Sequence, residues 1–218
     1  MNELRKQIST IRNQYDGDVI DEKHIYPAPV FQFETWMQDV MNKKVAEPNA
    51  MILATADKNG KPSVRTVLLR DFSDDGFVFY TNYNSKKGKE IDENPQASLL
   101  FYWPELQRQV RIDGTLVKIN PLISEKYFKE RPIGNQISAW ISPQSSVVKN
   151  KLELENNYRD FEKKYKNKEI PYPVFWGGYV LKPLTFEFWQ GQANRLHDRI
   201  CYEFDESIEN WKIVRLAP

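Results

Sequence analysis

The chain opens with apolar residues at helical spacing. Leu4, Ile8, Ile11 and Tyr15 recur three or four positions apart, which predicts a short N-terminal helix. Residues 16–29 are polar and proline-containing and read as a loop or arm. Phe33, Trp36, Met37, Val40 and Met41 then mark the stripe of an amphipathic helix ending near Pro48. From Ala50 the period becomes that of strands. Runs 51–57 and 62–72 flank Lys58-Asn59-Gly60-Lys61, and Asn-Gly between two such runs signals a hairpin. A strand at 77–81 follows the turn at 73–76, and 85–94 reads as a short helix stopped by Pro95. Two strands, 97–103 and 107–119, meet at Pro104-Glu105. A helix follows Pro121 with Ile123, Tyr127 and Phe128 on one side, and 147–165 is a longer, charged helix. Strands return at 176–181, 185–190, 199–204 and 211–216. About eight strands joined by short turns predict a mainly β chain with peripheral helices, an antiparallel barrel. The absence of regular strand–helix alternation argues against a doubly wound sheet.

Composition narrows the function classes. A chain of 218 residues, 40% hydrophobic with 12 Phe, 11 Tyr and 6 Trp, builds a sizeable core without disulfide or metal staples. The single Cys201 has no internal partner, reads as a small strand residue, and fits a reducing, cytoplasmic setting. The net charge of +1 supplies no global field for nucleic acid or an anionic membrane, so an anion must be held by a local cluster. No apolar run approaches the length of a membrane span, and the first residues carry no secretory h-region. The sequence holds no GxGxxG, no GxxxxGK[ST] and no GxSxG, and two His with one Cys do not make a metal site.

What remains is a set of anion-binding candidates, each with a plainer reading. Ser85-Lys86-Lys87 stands where a helix begins. Free N–H groups, a Ser cap and two lysines suit a phosphate, and equally make an ordinary cap followed by solvated lysines. Arg65 and Arg70 bracket Thr66-Val67-Leu68-Leu69. In one strand they face opposite sides, so that one meets a ligand and the other a different partner, or both are charged strand ends. Tyr127 and Arg131 share a face if both lie on one helix, as a phosphate clamp or as a surface stacking pair. Within 188–199, Arg195, His197 and Arg199 alternate and share one face if extended. Buried, such cations need an anion; solvated, they form a loop with Asp198 as counter-charge. Gln144-Ser145-Ser146 reads as a capping sequence, and Trp140 and Trp176 as core.

Together these segments resemble the pyridoxine/pyridoxamine 5'-phosphate oxidase family. The resemblance runs from Ile11-Arg12-Asn13-Gln14-Tyr15 to Arg215-Leu216-Ala217-Pro218. Its most specific piece is Phe188-Trp189-Gln190-Gly191 followed by Arg195-Leu196-His197-Asp198-Arg199. Phe79-Tyr80-Thr81-Asn82 with Ser85 and Lys87, Arg108-Gln109-Val110, Tyr127-Phe128 with Arg131-Pro132, and Phe175-Trp176-Gly177-Gly178 agree in order and spacing. The resemblance implies an arm at 1–28, an FMN-binding split β-barrel domain at 29–218, and a homodimer with FMN at the subunit interface. It implies pyridoxal 5'-phosphate synthase activity: oxidation of pyridoxine 5'-phosphate or pyridoxamine 5'-phosphate, with dioxygen giving hydrogen peroxide, and ammonia from the amine. FMN would contact Arg65, Thr66, Val67, Leu68, Leu69, Arg70, Tyr80, Thr81, Lys86, Lys87, Gln109, Gln144, Ser145, Trp189 and Arg199. The substrate would meet Arg12, Tyr15, Arg70, Tyr127, Arg131 and Asn135, with Arg195 and His197 as the catalytic pair against its ring. Arg70, Lys86 and Asn135 stand where the family usually has Lys, Arg and Ser, and 16–22 lacks the Gly-Gly-Leu expected after the tyrosine. A flavin split-barrel reductase and a non-catalytic flavin-binding module remain the alternatives.

Overall fold

The structure is a computed structural model and describes residues 2–218. Nine strands and six α-helices are seen among them: α1 (Glu3–Thr10), α2 (Pro29–Asn42), β1 (Ala50–Ala56), β2 (Pro62–Leu68), β3 (Asp71–Ser73), β4 (Gly76–Asn82), α3 (Lys86–Glu93), β5 (Gln96–Trp103), β6 (Arg108–Lys118), α4 (Pro121–Glu130), α5 (Ile133–Ile141), α6 (Lys151–Lys164), β7 (Trp176–Gln190), β8 (Asp198–Asp205) and β9 (Asn210–Arg215). The hydrogen-bonded strand order is β2-β1-β5-β6-β7-β4-β3, with β8 on β7 and β9 on β8. The expected mainly β chain with peripheral helices is what forms.

Two strand assignments differ from the sequence reading, each because a strand changes partner. The run 62–72 is two strands. β2 pairs with β1 up to Leu68, the Leu69 N–H then reaches the Asn49 carbonyl, and the Arg70 N–H turns to Val78 of β4. Arg70 therefore lies beyond the strand that holds Arg65. Conversely, 176–181 and 185–190 are one strand, β7. Its pairing with β4 ends at Leu181 and its pairing with β8 begins at Thr185. Pro183, which has no N–H to donate, sits in the gap between those two ladders.

The helices also shift. α1 stops at Thr10, leaving Ile11 and Tyr15 outside it. α2 starts earlier than its apolar stripe because Pro29 occupies the first turn, where its missing donor costs nothing. The charged helix begins only at Lys151 under an Asn150 cap, so Gln144 and Ser145 cap nothing, and Ser145 takes a positive φ of 71°.

The chain divides into two compact units. One comprises residues 2–48, 101–111 and 185–218. Its core packs α2 through Phe33 against Phe101 (5.0 Å between ring centres) and through Trp36 edge-on to Phe188 (5.2 Å). Buried Arg108 knits this unit: Nε donates to Gln190 (2.8 Å), Nη1 to Asp39 (2.6 Å), and the guanidinium lies 4.6 Å over the Trp36 ring. Between α1 and α2 the chain has no helix or strand, yet the Ile20 N–H donates to Asp198, the Tyr202 hydroxyl to the Tyr26 carbonyl, and Arg215 to Glu22, Asp198 and the Ile20 carbonyl.

The other unit comprises residues 49–100 and 112–184. Phe77, Phe79, Leu53, Leu99 and Ile112 are fully buried in it, and a second cluster of Phe128, Ile137, Ile170 and Trp176 lies under α4, α5 and α6.

Candidate functional site

In the unit formed by 49–100 and 112–184, β4 delivers Tyr80 and Thr81, and α3 starts four residues later. Ser85 caps that helix by accepting from the Gly88 N–H. Lys86 is exposed. Lys87 is not the solvated lysine of the plainer reading: it is buried, and its Nζ donates to Thr81 Oγ1 and Gln144 Oε1, both at 3.1 Å. Burial, with the nearby positive charge of Arg65, lowers its pKa to about 8. Arg65 turns to the same helix, where Nη2 donates to Glu90 Oε2 (3.0 Å) and Ser63 Oγ (2.6 Å). Glu90 is buried and also accepts from Thr55 (2.6 Å) and Ser63. Burial alone would raise its pKa, but the hydrogen bonds from Ser63, Thr55 and Arg65 outweigh it and hold the carboxyl at about 2. Arg65, Lys86 and Lys87 thus face one carboxylate, a local excess of positive charge around buried N–H and O–H donors.

A second cationic group lies beside an aromatic stack in the same unit. Tyr127 stacks on Tyr80 with ring centres 3.9 Å apart, and Trp176 lies nearly parallel to both. Arg131 is not on the helix with Tyr127. It caps α4 with an extended backbone (φ −70°, ψ 149°), and its guanidinium lies 4.5 Å over the Trp176 ring. Its Nη1 is buried without a hydrogen-bond partner. Burial and the charge of Arg70 lower its pKa. Arg70 itself is exposed, as is Asn135 in the first turn of α5. A cavity of about 780 Å³ floored by Ile133, Ile137 and Ile170 lies elsewhere in this unit and contains none of these cations.

The other unit gathers a different set. Tyr15 meets Trp189 edge-on at 5.6 Å and His197 at 5.3 Å, and Trp189 lies 4.7 Å from His197. His197 Nδ1 accepts the Gln192 N–H (3.0 Å), so its proton sits on Nε2 and the neutral ring offers a donor. Burial and the charge of Arg195 lower its pKa, which favours that neutral form. The alternating face expected for Arg195, His197 and Arg199 does not form. Residues 193–195 make a 3-10 turn in which Asn194 and Arg195 take positive φ, leaving Arg195 exposed and only Arg199 on a strand. Nor is Asp198 the counter-charge of these cations, because it pairs with Arg215. Arg199 instead makes a bidentate pair with buried Glu187 (Nε 2.9 Å, Nη2 3.1 Å), which also binds Arg111 at 2.9 Å. Gln109 is half-buried on β6. Arg12 donates to the local carbonyls of Ser9 and Ile11, both at 2.8 Å.

Glu90 and Glu187 escaped the sequence reading, and Arg108 entered it only within the motif Arg108-Gln109-Val110 and without a role, because single acidic and basic residues in strands and helices look like solvated positions. Only their burial distinguishes them. Gly191 carries a readable signal in hindsight: a Cβ there would lie 2.6 Å from the Tyr15 ring. Gly191→Ala is expected to push Tyr15 off Trp189 and His197. It should raise KM several-fold while FMN content stays at the wild-type level; an unchanged KM would show that Tyr15 does not bear on the substrate.

Comparison with known proteins gives this geometry its context. Residues 37–164 match the family model described as pyridoxamine 5'-phosphate oxidase, and residues 176–218 the one described as the pyridoxine 5'-phosphate oxidase C-terminal dimerisation region. The chain belongs to the pyridoxamine 5'-phosphate oxidase family. Within this oxidase family it is 47% identical over 211 residues to the pyridoxine/pyridoxamine 5'-phosphate oxidase of Aliarcobacter butzleri, covering 97% of this chain and 99% of the relative. It is 44% identical to that of a Cyanothece species, over 97% and 98% of the two chains. Among solved structures, PhzG from Burkholderia lata, in complex with tetrahydrophenazine-1-carboxylic acid, superposes with a TM-score of 0.86 at 29% identity, over 93% of this chain and 99% of that one. A pyridoxamine 5'-phosphate oxidase-related, FMN-binding protein from Nostoc punctiforme superposes at 0.69 with 20% identity, over 89% and 100%. The oxidase family's split β-barrel is the fold of this chain. Among the described residues no helix is long and apolar enough to cross a membrane.

Proposed function

We propose that this member of the oxidase family converts pyridoxine 5'-phosphate and pyridoxamine 5'-phosphate to pyridoxal 5'-phosphate with FMN as cofactor, consuming dioxygen and releasing hydrogen peroxide, and ammonia from the amine. The observation that carries the substrate class is the buried Arg131 nitrogen without a partner, set beside Tyr127 and charged Arg70. A buried guanidinium donor left unpaired is costly, and a phosphate oxygen satisfies it. The donor set around Lys87 likewise fits the phosphate of FMN: a buried ammonium, the Thr81 hydroxyl, and more cations than Glu90 neutralises.

The chemistry FMN supplies when bound is acceptance of a hydride from the substrate C4' carbon. The protein supplies position and electrostatics. Lys86, Lys87, Thr81, Gln144 and Ser145 grip the cofactor phosphate, and the 65–70 segment, Tyr80, Gln109, Trp189 and Arg199 line the remainder. Arg70, Tyr127, Arg131 and Asn135 hold the substrate phosphate and so fix the ring, a positioning contribution that replaces a free encounter. His197 donates from Nε2 to the ring, since its Nδ1 is already occupied. Arg195 reaches the C4' end from its exposed, left-handed turn. Tyr15 and Arg12 close over the substrate from the arm. The assembled enzyme is a homodimer with FMN at the subunit interface, a reading supported by the dimerisation-region match at 176–218.

The test is an absorbance spectrum followed by an oxidase assay. A yellow protein that releases hydrogen peroxide on addition of pyridoxine 5'-phosphate is the expected result. A yellow but inert protein would leave a flavin-binding module, and a colourless monomer would remove the flavin reading altogether.

A further inference from the structure

Three arginines of this chain are held in two different ways. Arg65 and Arg199 are each gripped by a buried carboxylate and by neighbouring acceptors, which together engage both Nη nitrogens. Arg65 gives Nη1 to the Leu53 carbonyl and Thr55 and Nη2 to Ser63 and Glu90; Arg199 gives Nε and Nη2 to Glu187 and Nη1 to the Ala217 carbonyl. Arg131 is held by a face instead, 4.5 Å above the Trp176 ring, and its buried Nη1 has no partner. Stacking on an aromatic face restrains a guanidinium through its plane and leaves the in-plane donors at its edge open to an anion. The helix does not aim this side chain, because Arg131 already has extended backbone at the end of α4.

The Trp176 ring is itself fixed. It is buried at the start of β7, opposite Asn82 of β4. Tyr80 and Tyr127 lie parallel to it within 12° and 2°, and Phe128 meets it edge-on at 5.6 Å. The backbone beneath it is tied down as well: the Trp176 backbone N–H donates to the Pro173 carbonyl, and the Trp176 backbone carbonyl accepts from the Tyr172 hydroxyl. A rigid ring of this kind presents one plane to the arginine above it.

We infer that Trp176 is a positioning residue for the substrate: its indole face sets the Arg131 guanidinium with open donors toward the substrate phosphate. The inference rests on the reading that Arg131 and Tyr127 bind that phosphate. It makes Trp176 part of the specificity for phosphorylated over phosphate-free ring compounds rather than plain core.

The experiment compares holoenzymes at saturating FMN. Trp176→Leu keeps apolar bulk and removes the flat face; Trp176→Phe keeps a face. Trp176→Leu is expected to raise KM for pyridoxine 5'-phosphate about tenfold, with kcat within twofold, and Trp176→Phe to stay within threefold of wild type. Arg131→Ala combined with Trp176→Leu is expected to be no worse than Arg131→Ala alone, because the ring acts through the arginine. Equal effects of Leu and Phe, a loss confined to kcat, or multiplying effects in the double variant would overturn the role of Trp176. If Arg131→Ala alone leaves KM within twofold, the phosphate reading of Arg131 fails and the role of Trp176 falls with it. A raised KM for Arg131→Ala with equal Leu and Phe variants removes Trp176 alone. Should Trp176→Leu not fold, Trp176→Met refills the space without a face, and the same rise is expected of it.

Discussion

Glu90→Ala is expected to destabilise the apoprotein by about 3–5 kcal/mol, because it leaves Arg65 largely buried without its counter-ion. The carboxylate receives donors from Arg65, Ser63 and Thr55 at 2.6–3.0 Å, so its removal strands three polar groups at once. For a chain of this length such a loss lowers Tm by on the order of 10 °C. Denaturant melts of the apoprotein measure it, and a loss below about 1 kcal/mol would mean that water replaces the carboxylate at no cost. The same group sets an acid limit. Its folded pKa, about 2, lies below the ordinary 4.5. Its contribution is therefore fully present above the ordinary value and is lost as the pH falls from about 4.5 toward about 2. Glu90→Gln removes that pH slope while keeping the side-chain shape.

Lys87→Met is expected to weaken FMN binding by about 10- to 100-fold, the loss of one charge-assisted contact to a phosphate. The effect carries its own pH signature. With the ammonium held at about 8 in the free protein, FMN affinity falls as the pH rises through that value, since a neutral amine neither attracts a phosphate nor donates as strongly. Fluorescence titration of FMN across this range should show the decline in the wild-type protein and a flat profile in Lys87→Met. A flat wild-type profile would place the phosphate away from Lys87. Stability moves the other way: the buried ammonium opposes folding, so the apoprotein of Lys87→Met should melt no lower than wild type.

The elements of this fold were largely legible because strand and helix periods are local. The hairpin at Asn59-Gly60, the Ser85 cap and the strands 97–103 and 211–216 stand where the pattern puts them, within a residue or two. Partner changes were not legible. Nothing in the spacing around Leu69 or Pro183 says that one run breaks between two ladders and another continues through a proline, since both follow from which strand lies alongside. The site was legible only as residue types. Pattern alone could not separate a buried Lys87 from an exposed Lys86, and it placed Arg131 on a helix that ends one residue before it. It also could not show that Arg195 turns away from Arg199, because the left-handed turn at 194–195 carries no glycine to announce it. Glu90 and Glu187 became visible only once their arginines were beside them.

The two units are threaded differently along the chain, and this bears on how the protein is made. The unit containing Lys87 and Arg131 is complete once residue 184 has been synthesised, whereas the unit containing Trp189, His197 and Arg199 draws on residues 2–48, 101–111 and 185–218. During translation the first can close while Trp36 of α2 still waits for Phe188 to emerge. That waiting helix carries Trp36 without its native partner ring. Protection from premature association is therefore needed longest at α2, and chaperone dependence should respond to polar substitutions there before it responds to changes in the phosphate-binding residues.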